Sequence, residues 1–282
     1  MNALERRLDV ALQLAERAGA LAMSLRPPPG AAVATLKSAQ DWLTEADGAV
    51  EAFLSRHLAE AFPEDGFQGE ETGSGRAGAL RWVVDPIDGT SNFARGASRW
   101  CVSVGLVGDG EALLGVLAAP ALGEVFAARK GGGATLNGVA IRAARTQDLA
   151  RGIVEVGWSP RRPNAPFHDL AQKVMAAGAM LRAGGSGAMG LADVAAGRMD
   201  AYVEVHINLW DVAAALAILS EAGAATSDFL GRNGMLDGNP ILAAAPGVAD
   251  AMAEMSGIPI PARQTGPFTD APGSIRVSPA QS

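Results

Sequence analysis

Between Trp100 and Ala144 the chain is a succession of short β-rich runs cut by tight-turn residues, and this stretch narrows the possible folds more than any other. Cys101 to Val107 and Ala112 to Ala118 are the longest runs, and Gly-Asp-Gly, Ala-Pro and Asn137-Gly138 turns punctuate the segment. An antiparallel meander is the expected result. Helical spacing precedes it: Leu4, Leu8, Ala11, Leu12, Ala15, Ala18 and Ala22 share one face of a helix over Leu4 to Leu25, which Pro27-Pro28-Pro29-Gly30 ends. A second helix is expected from Glu45 to Phe62, with Thr44 as its cap and Pro63-Glu64-Asp65-Gly66 as the turn beyond.

After about residue 148 strand and helix signals alternate. Gly152 to Val156 and Ala201 to Val205 are strand candidates, Pro166 to Ala177 is a helix candidate, and a glycine-rich turn at Gly184 to Gly190 opens another. Trp210 to Ala222 is a strongly apolar helix that Gly223 ends. The reading divides the chain into an α+β half over 1–148, an α/β half over 149–257 and a Pro-, Gly-, Ser- and Thr-rich tail over 258–282, expected to be loose. No repeat recurs at a fixed period.

Charge and cysteine content exclude several functions. Thirty acidic against 23 basic residues give a net charge of −7, with no cluster of Lys and Arg to track a phosphate backbone, so nucleic-acid binding is not expected. The same balance repels a small anionic substrate unless a bound cation reverses the field inside the site. Cys101 is the only cysteine, which excludes an internal disulfide or a multi-thiolate zinc site, and His57, His168 and His206 are scattered. Met1 to Arg26 lacks the pattern of a secretory signal, and no apolar run is long enough to span a bilayer. A cytoplasmic protein without membrane partners is expected.

The strongest local signal is Asp85-Pro86-Ile87-Asp88-Gly89-Thr90-Ser91-Asn92-Phe93. Arg81-Trp82-Val83-Val84 is an apolar strand expected to stop at Asp85-Pro86, leaving two carboxylates three residues apart across a turn. Gly89 permits close approach, and the Gly89 and Thr90 amides can direct donors at an anion if they open a helix. Asp-Pro and Asp-Gly are also common turn formers. The spacing does not fit an EF-hand loop, since Ile87 and Gly89 would fall at ligand positions.

Glu70 and Glu71 lie in a loop before this strand, and Asp211 sits at the start of an otherwise apolar helix. Alone, the first pair suits a solvated loop and Asp211 suits a helix cap. Two carboxylates about 4 Å apart repel by roughly 4 kcal/mol at an effective dielectric near 20, so a converging group of four needs cations to stay ionised and ordered. Hard oxygen donors select Mg²⁺ or Mn²⁺. A rival signal is Gly185-Ser186-Gly187-Ala188-Met189-Gly190 with Glu204 downstream, which matches a dinucleotide-binding fingerprint.

Taken together, Gly69-Glu70-Glu71, Asp85 through Phe93, and Trp210-Asp211-Val212-Ala213 followed by Glu221-Ala222-Gly223 resemble the inositol monophosphatase family over about residues 4 to 255. The resemblance implies a five-layered α/β/α/β/α sandwich. It also implies that Glu70, Asp85, Asp88, Asp211 and the carbonyl of Ile87 hold two or three Mg²⁺ ions and that water attacks phosphorus directly. Thr90 and Glu70 would orient and deprotonate that water, with Asp47, in Leu43 to Asp47, assisting through a further ion or water. Asp88, Gly89, Thr90, Gly185, Ser186, Gly187, Glu204 and Asp211 would contact the substrate, and a homodimer is implied.

Two residues depart from the family pattern. Trp158 stands where some relatives carry a small polar residue near the substrate, and Ala224 replaces a frequent glycine. Ser91-Asn92-Phe93 resembles the inositol-type branch, while histidinol phosphate and nucleotide-derived phosphates remain alternative substrates. An NAD(P)-dependent oxidoreductase and a non-catalytic regulatory protein are the readings from other functional classes.

Overall fold

The computed structural model describes residues 2–28, 35–38, 41–159 and 162–261. Helix α1 (Ala3–Leu25) opens on a reciprocal cap in which Asn2 and Glu5 exchange backbone and side-chain hydrogen bonds, both 2.8 Å. A short antiparallel hairpin, β1 (Thr35–Ser38) and β2 (Asp41–Leu43), leads into α2 (Glu45–Ala61). Thr44 caps α2 as expected, with its amide and hydroxyl both donating to Asp47 Oδ2 at 2.7 and 2.6 Å.

Strands β3 (Gly66–Gly69), β4 (Gly73–Arg76) and β5 (Leu80–Asp88), helix α3 (Thr90–Ala94), and strands β6 (Cys101–Gly108), β7 (Glu111–Ala119), β8 (Glu124–Arg129), β9 (Ala134–Leu136) and β10 (Val139–Ala140) follow. These strands form one sheet in the order β10-β9-β8-β7-β6-β5-β3-β4, antiparallel throughout except where β3 runs parallel to β5. The expected meander is therefore present. Its turns have the sequence-encoded shape: Asp109 and Gly110, like Asn137 and Gly138, all take positive φ, which matches a two-residue turn to the twist of the paired strands.

The remainder comprises β11 (Ile153–Val156), α4 (Ala165–Ala176), β12 (Met180–Arg182), α5 (Gly187–Ala195), β13 (Ala201–Ile207), α6 (Leu209–Ala222), β14 (Ala225–Thr226), α7 (Gly234–Asp237), β15 (Asn239–Ala244) and α8 (Ala249–Ser256). A second sheet, ordered β12-β11-β13-β15-β14, has β11 parallel to both neighbours and β15 antiparallel to both of its own.

Three apolar cores separate five layers. Leu8, Ala11, Leu54 and Leu58 from α1 and α2 pack on Trp82, Val104 and Val116 of the first sheet. The other face of that sheet, through Val83, Leu117 and Phe126, packs on α5 and α6, which cover Tyr202, Ile241 and Ala243 of the second sheet. Leu170 and Val174 of α4 and Met252 of α8 close the far side against Val154, Val203 and Leu242. The α/β/α/β/α sandwich is thus the observed fold. Gly115 decides how closely α6 approaches the first sheet, because a Cβ there would lie 2.0 Å from the Ala214 carbonyl oxygen.

One expectation needs correcting. The strand expected to stop at Asp85-Pro86 continues to Asp88, with Pro86 and Ile87 on β5 opposite the single residue Val102 on β6 between Asp85↔Ser103 and Asp88↔Cys101. Pro86 falls inside this bulge, where no ladder donor is required of it. Four terminal residues of the expected tail's start, 258–261, carry no regular structure, and 262–282 lie outside the described residues, as does Pro29-Gly30. Among the described residues no helix is long and apolar enough to cross a membrane.

Candidate functional site

The bulge at the end of β5 folds its two aspartates toward one point. Asp85 Oδ1 accepts the Ile87 amide at 2.9 Å, which closes a tight side-chain turn. Asp85 and Asp88 are almost fully buried, at 1% and 5% exposure. Gly89 takes φ 89°, and a Cβ there would lie 3.0 Å from both Arg99 O and Ser186 Cβ, so the backbone turns where no other residue fits. Thr90 then begins α3, its hydroxyl donating to Ile87 O at 2.9 Å.

Two helices meet this turn from the other side. Ser186 caps α5, and its hydroxyl donates to Asp88 Oδ2 together with the Ala188 amide at 3.1 Å. Asp211 lies in the first turn of α6 and accepts the Asn208 amide at 3.0 Å, so it does cap the helix. It also joins the cluster: carboxylate oxygens of Asp85, Asp88 and Asp211 all lie within 4.8 Å of one another. Glu70 enters from the loop after β3, its amide donating to Val84 O at 3.2 Å and its carboxyl adjoining that of Asp85.

Crowding these acids away from water has an electrostatic signature. Burial, then the charges of Glu70, Asp88 and Asp211, raise the Asp85 carboxyl well above the usual carboxylate range. Burial raises Asp88 to about 6, opposed by the Ser186 hydroxyl, the Ala188 and Gly187 amides and the Arg99 charge. A divalent cation relieves this conflict, and the donors present are all oxygens, which fits a hard ion and not zinc.

The cluster lies in a cavity of about 340 Å³. Of the residues expected to hold cations, water or substrate, all but Asp47 line it: Glu70, Asp85, Ile87, Asp88, Gly89, Thr90, Gly185, Ser186, Gly187, Glu204 and Asp211. Asp47 instead stands at the start of α2, 1% exposed, with Oδ2 bound to Thr44 and Oδ1 buried without a hydrogen-bond partner among the described residues. Burial raises its carboxyl, and the charge of Glu71 adds to the effect.

Three further residues escaped the sequence reading. Glu155 lines the cavity and is bridged by Arg99, whose guanidinium reaches Glu155 at 2.5 Å and Asp193 at 2.6 Å. Tyr202, the only tyrosine, donates to Glu204 Oε2 at 2.6 Å. An acid inside the apolar run Ile153-Val154-Glu155-Val156 was the one available signal. Trp158 stands at the mouth, 45% exposed, with its indole N–H fixed on Asn164 Oδ1 at 2.8 Å.

The glycine fingerprint has a different use from dinucleotide binding. The helix end where a pyrophosphate would sit holds the Asp88 carboxylate, and Gly190 lets α5 lie on β13, since a Cβ there would be 2.4 Å from the Tyr202 ring.

Comparison with known proteins agrees with this architecture. The model of the inositol monophosphatase family matches residues 3–256. The chain is 39% identical over 197 residues to a protein named Nus factor SuhB from Xylella fastidiosa, covering 69% of this chain and 72% of that protein. It is 37% identical over 213 residues to an inositol-1-monophosphatase from Mesorhizobium japonicum, covering 74% and 80% respectively. The solved structure of inositol monophosphatase from Anabaena superimposes with a TM-score of 0.80 at 28% identity, over 92% of this chain and 98% of that one.

Proposed function

The chain belongs to the inositol monophosphatase family, and we propose that it is a divalent-cation-dependent phosphatase for a small polyol or sugar phosphate monoester. The observation that carries this reading is the meeting of Asp85, Asp88 and Asp211 within 4.8 Å, two of them buried and both raised. Glu70, the Ile87 carbonyl and these three aspartates would hold Mg²⁺, or Mn²⁺ in its place, as two or three ions. Bound there, the cation neutralises phosphate charge and acidifies water.

The remaining roles fall to the chain itself. Glu70 accepts the proton of the attacking water, oriented with Thr90, whose hydroxyl is already held on Ile87 O. The water oxygen bonds to phosphorus as the ester P–O bond breaks and the released alcohol oxygen takes a proton from solvent, so no covalent phosphoenzyme forms. Gly89 and Thr90 amides face the phosphate. Glu204, held by Tyr202, accepts a hydroxyl of the alcohol, beside the Gly185-Ser186-Gly187 turn. Asp47, which stands behind the cavity lining at the start of α2, would assist only through a further ion or water reaching its buried Oδ1. In this reading residues 1–148 supply most cation ligands and 149–257 supply Asp211 and the substrate contacts. A cytoplasmic homodimer completes the proposal.

The decisive experiment is phosphate release from inositol, sugar, histidinol and nucleotide-derived phosphates, with Mg²⁺ and with EDTA. Cation-dependent release from a polyol or sugar phosphate is the expected result. Silence across the panel in a protein that still binds Mg²⁺ would overturn it. That outcome would favour the second reading, a regulatory factor, which the name Nus factor SuhB of a relative supports.

A further inference from the structure

Glu51 lies on α2, one turn beyond Asp47, and is buried at 1% exposure. The segment between β3 and β4 wraps around its carboxylate. Oε2 accepts the Glu71 amide at 2.8 Å, and Oε1 accepts the Thr72 amide at 2.9 Å. Gly69 packs against the same group, for a Cβ there would lie 2.3 Å from the carboxylate carbon. Gly69 does not take a positive φ, so the glycine that opens the Gly69-Glu70-Glu71 motif is required by the proximity of Glu51 and not by its own backbone conformation.

Two amide donors converging from one strand-to-strand segment demand an acceptor on each side. A carboxylate supplies both, whereas a glutamine would turn its own NH₂ toward one of them. Among the described residues no Lys or Arg pairs with Glu51. A buried carboxylate held by amides alone is a costly choice for a purely structural brace.

The segment it grips contains Glu70. That residue is held at its own amide by Val84 O, with Gly69 wedged on Glu51 before it and Glu71 and Thr72 bound to Glu51 after it. We propose that Glu51 is a positioning residue for the cation site, locking the loop so that the Glu70 carboxyl meets Asp85. The proposal rests on the cation-dependent reading above. Helix α2 then serves the site twice, through Asp47 and through Glu51, and the Gly-Glu-Glu motif is one half of a lock whose other half is on that helix.

The test uses the full chain with Glu51→Gln and Glu51→Asp, titrated with Mn²⁺ by calorimetry and followed by amide hydrogen exchange in EDTA. Glu51→Gln should speed exchange at Glu71 and Thr72 and weaken Mn²⁺ binding by about tenfold or more, the usual effect of losing a group that orients a ligand. At saturating cation the substrate KM should stay unchanged. Glu51→Asp keeps the charge but cannot reach both amides, so it should weaken binding as well.

Faster exchange with unaltered Mn²⁺ affinity would reduce Glu51 to a structural brace and overturn the proposal. Wild-type affinity in Glu51→Asp alongside weak binding in Glu51→Gln would also overturn it, leaving only a charge effect. Asp85→Asn is the control: if that variant binds Mn²⁺ as tightly as wild type, the cation site itself is misassigned, whatever Glu51 does.

Discussion

Replacing Asp85 by Asn should stabilise the metal-free protein and remove its response to cations. At the 4.8 Å limit separating the oxygens of Asp85, Asp88 and Asp211, each fully ionised pair repels by about 3.5 kcal/mol at an effective dielectric near 20. Protonation relieves part of this. For Asp88, where burial is the leading cause, displacement from 3.8 to about 6 corresponds to about 3 kcal/mol. A carboxyl raised in the folded state contributes stability that is fully present below its unfolded value and is lost as pH rises, here through about 6. Metal-free wild type should therefore melt lower near pH 8 than near pH 5, and Mg²⁺ should restore it.

Asn keeps the Oδ1 acceptor for the Ile87 amide, so the local turn survives while one member of the repelling set disappears. Recovering about 2 kcal/mol near pH 8 corresponds, at about 0.6 kcal/mol/K for a chain of this length, to a rise of about 3 °C in Tm. Calorimetric melts in EDTA and in Mg²⁺, at both pH values, measure the effect. Phosphate release by the variant should be lost. A metal-free variant that melts at or below wild type near pH 8, or that gains as much from Mg²⁺ as wild type does, would refute the reasoning.

Other perturbations probe the frame and the recognition wall. Gly115→Ala places a methyl against Ala214 O and should cost about 2 kcal/mol in urea unfolding while weakening Mn²⁺ binding, because Asp211 rides on the helix that must shift. Arg99→Met removes the bridging cation from the buried carboxylate of Glu155 and leaves Asp193 only its 3.5 Å contact with Arg198, and should cost about 3 kcal/mol, with partial recovery in Arg99→Lys; an unchanged urea midpoint would show that the network carries no net stability. Glu204→Gln should raise KM for a polyol phosphate by about tenfold, the worth of one hydrogen bond, with cation affinity unchanged; equal losses in both would move Glu204 into the cation site.

Much of the frame follows from local pattern. The β6–β7 meander and α1, α2, α4 and α6 lie within a few residues of where spacing and caps put them, because periodicity and turn chemistry are properties of a few neighbouring residues. The cluster is different. Asp211 satisfied a helix cap and Asp88 a common turn pair, and each could have been only that. Family resemblance, not spacing, linked them in advance.

Glu155, Tyr202, Arg99 and Glu51 carried no comparable signal, since an isolated acid or arginine in sequence does not announce its partner. Packing made the difference. The glycine contact of α6 on the first sheet, the seating of Asp88 on the end of α5, and the bulge that lets Pro86 stay in a strand bring acids from distant segments within 4.8 Å. Such encounters depend on how three apolar cores stack. Local amino-acid preference sets what each segment becomes, and only the long-range burial of those segments decides which charges must share one cavity.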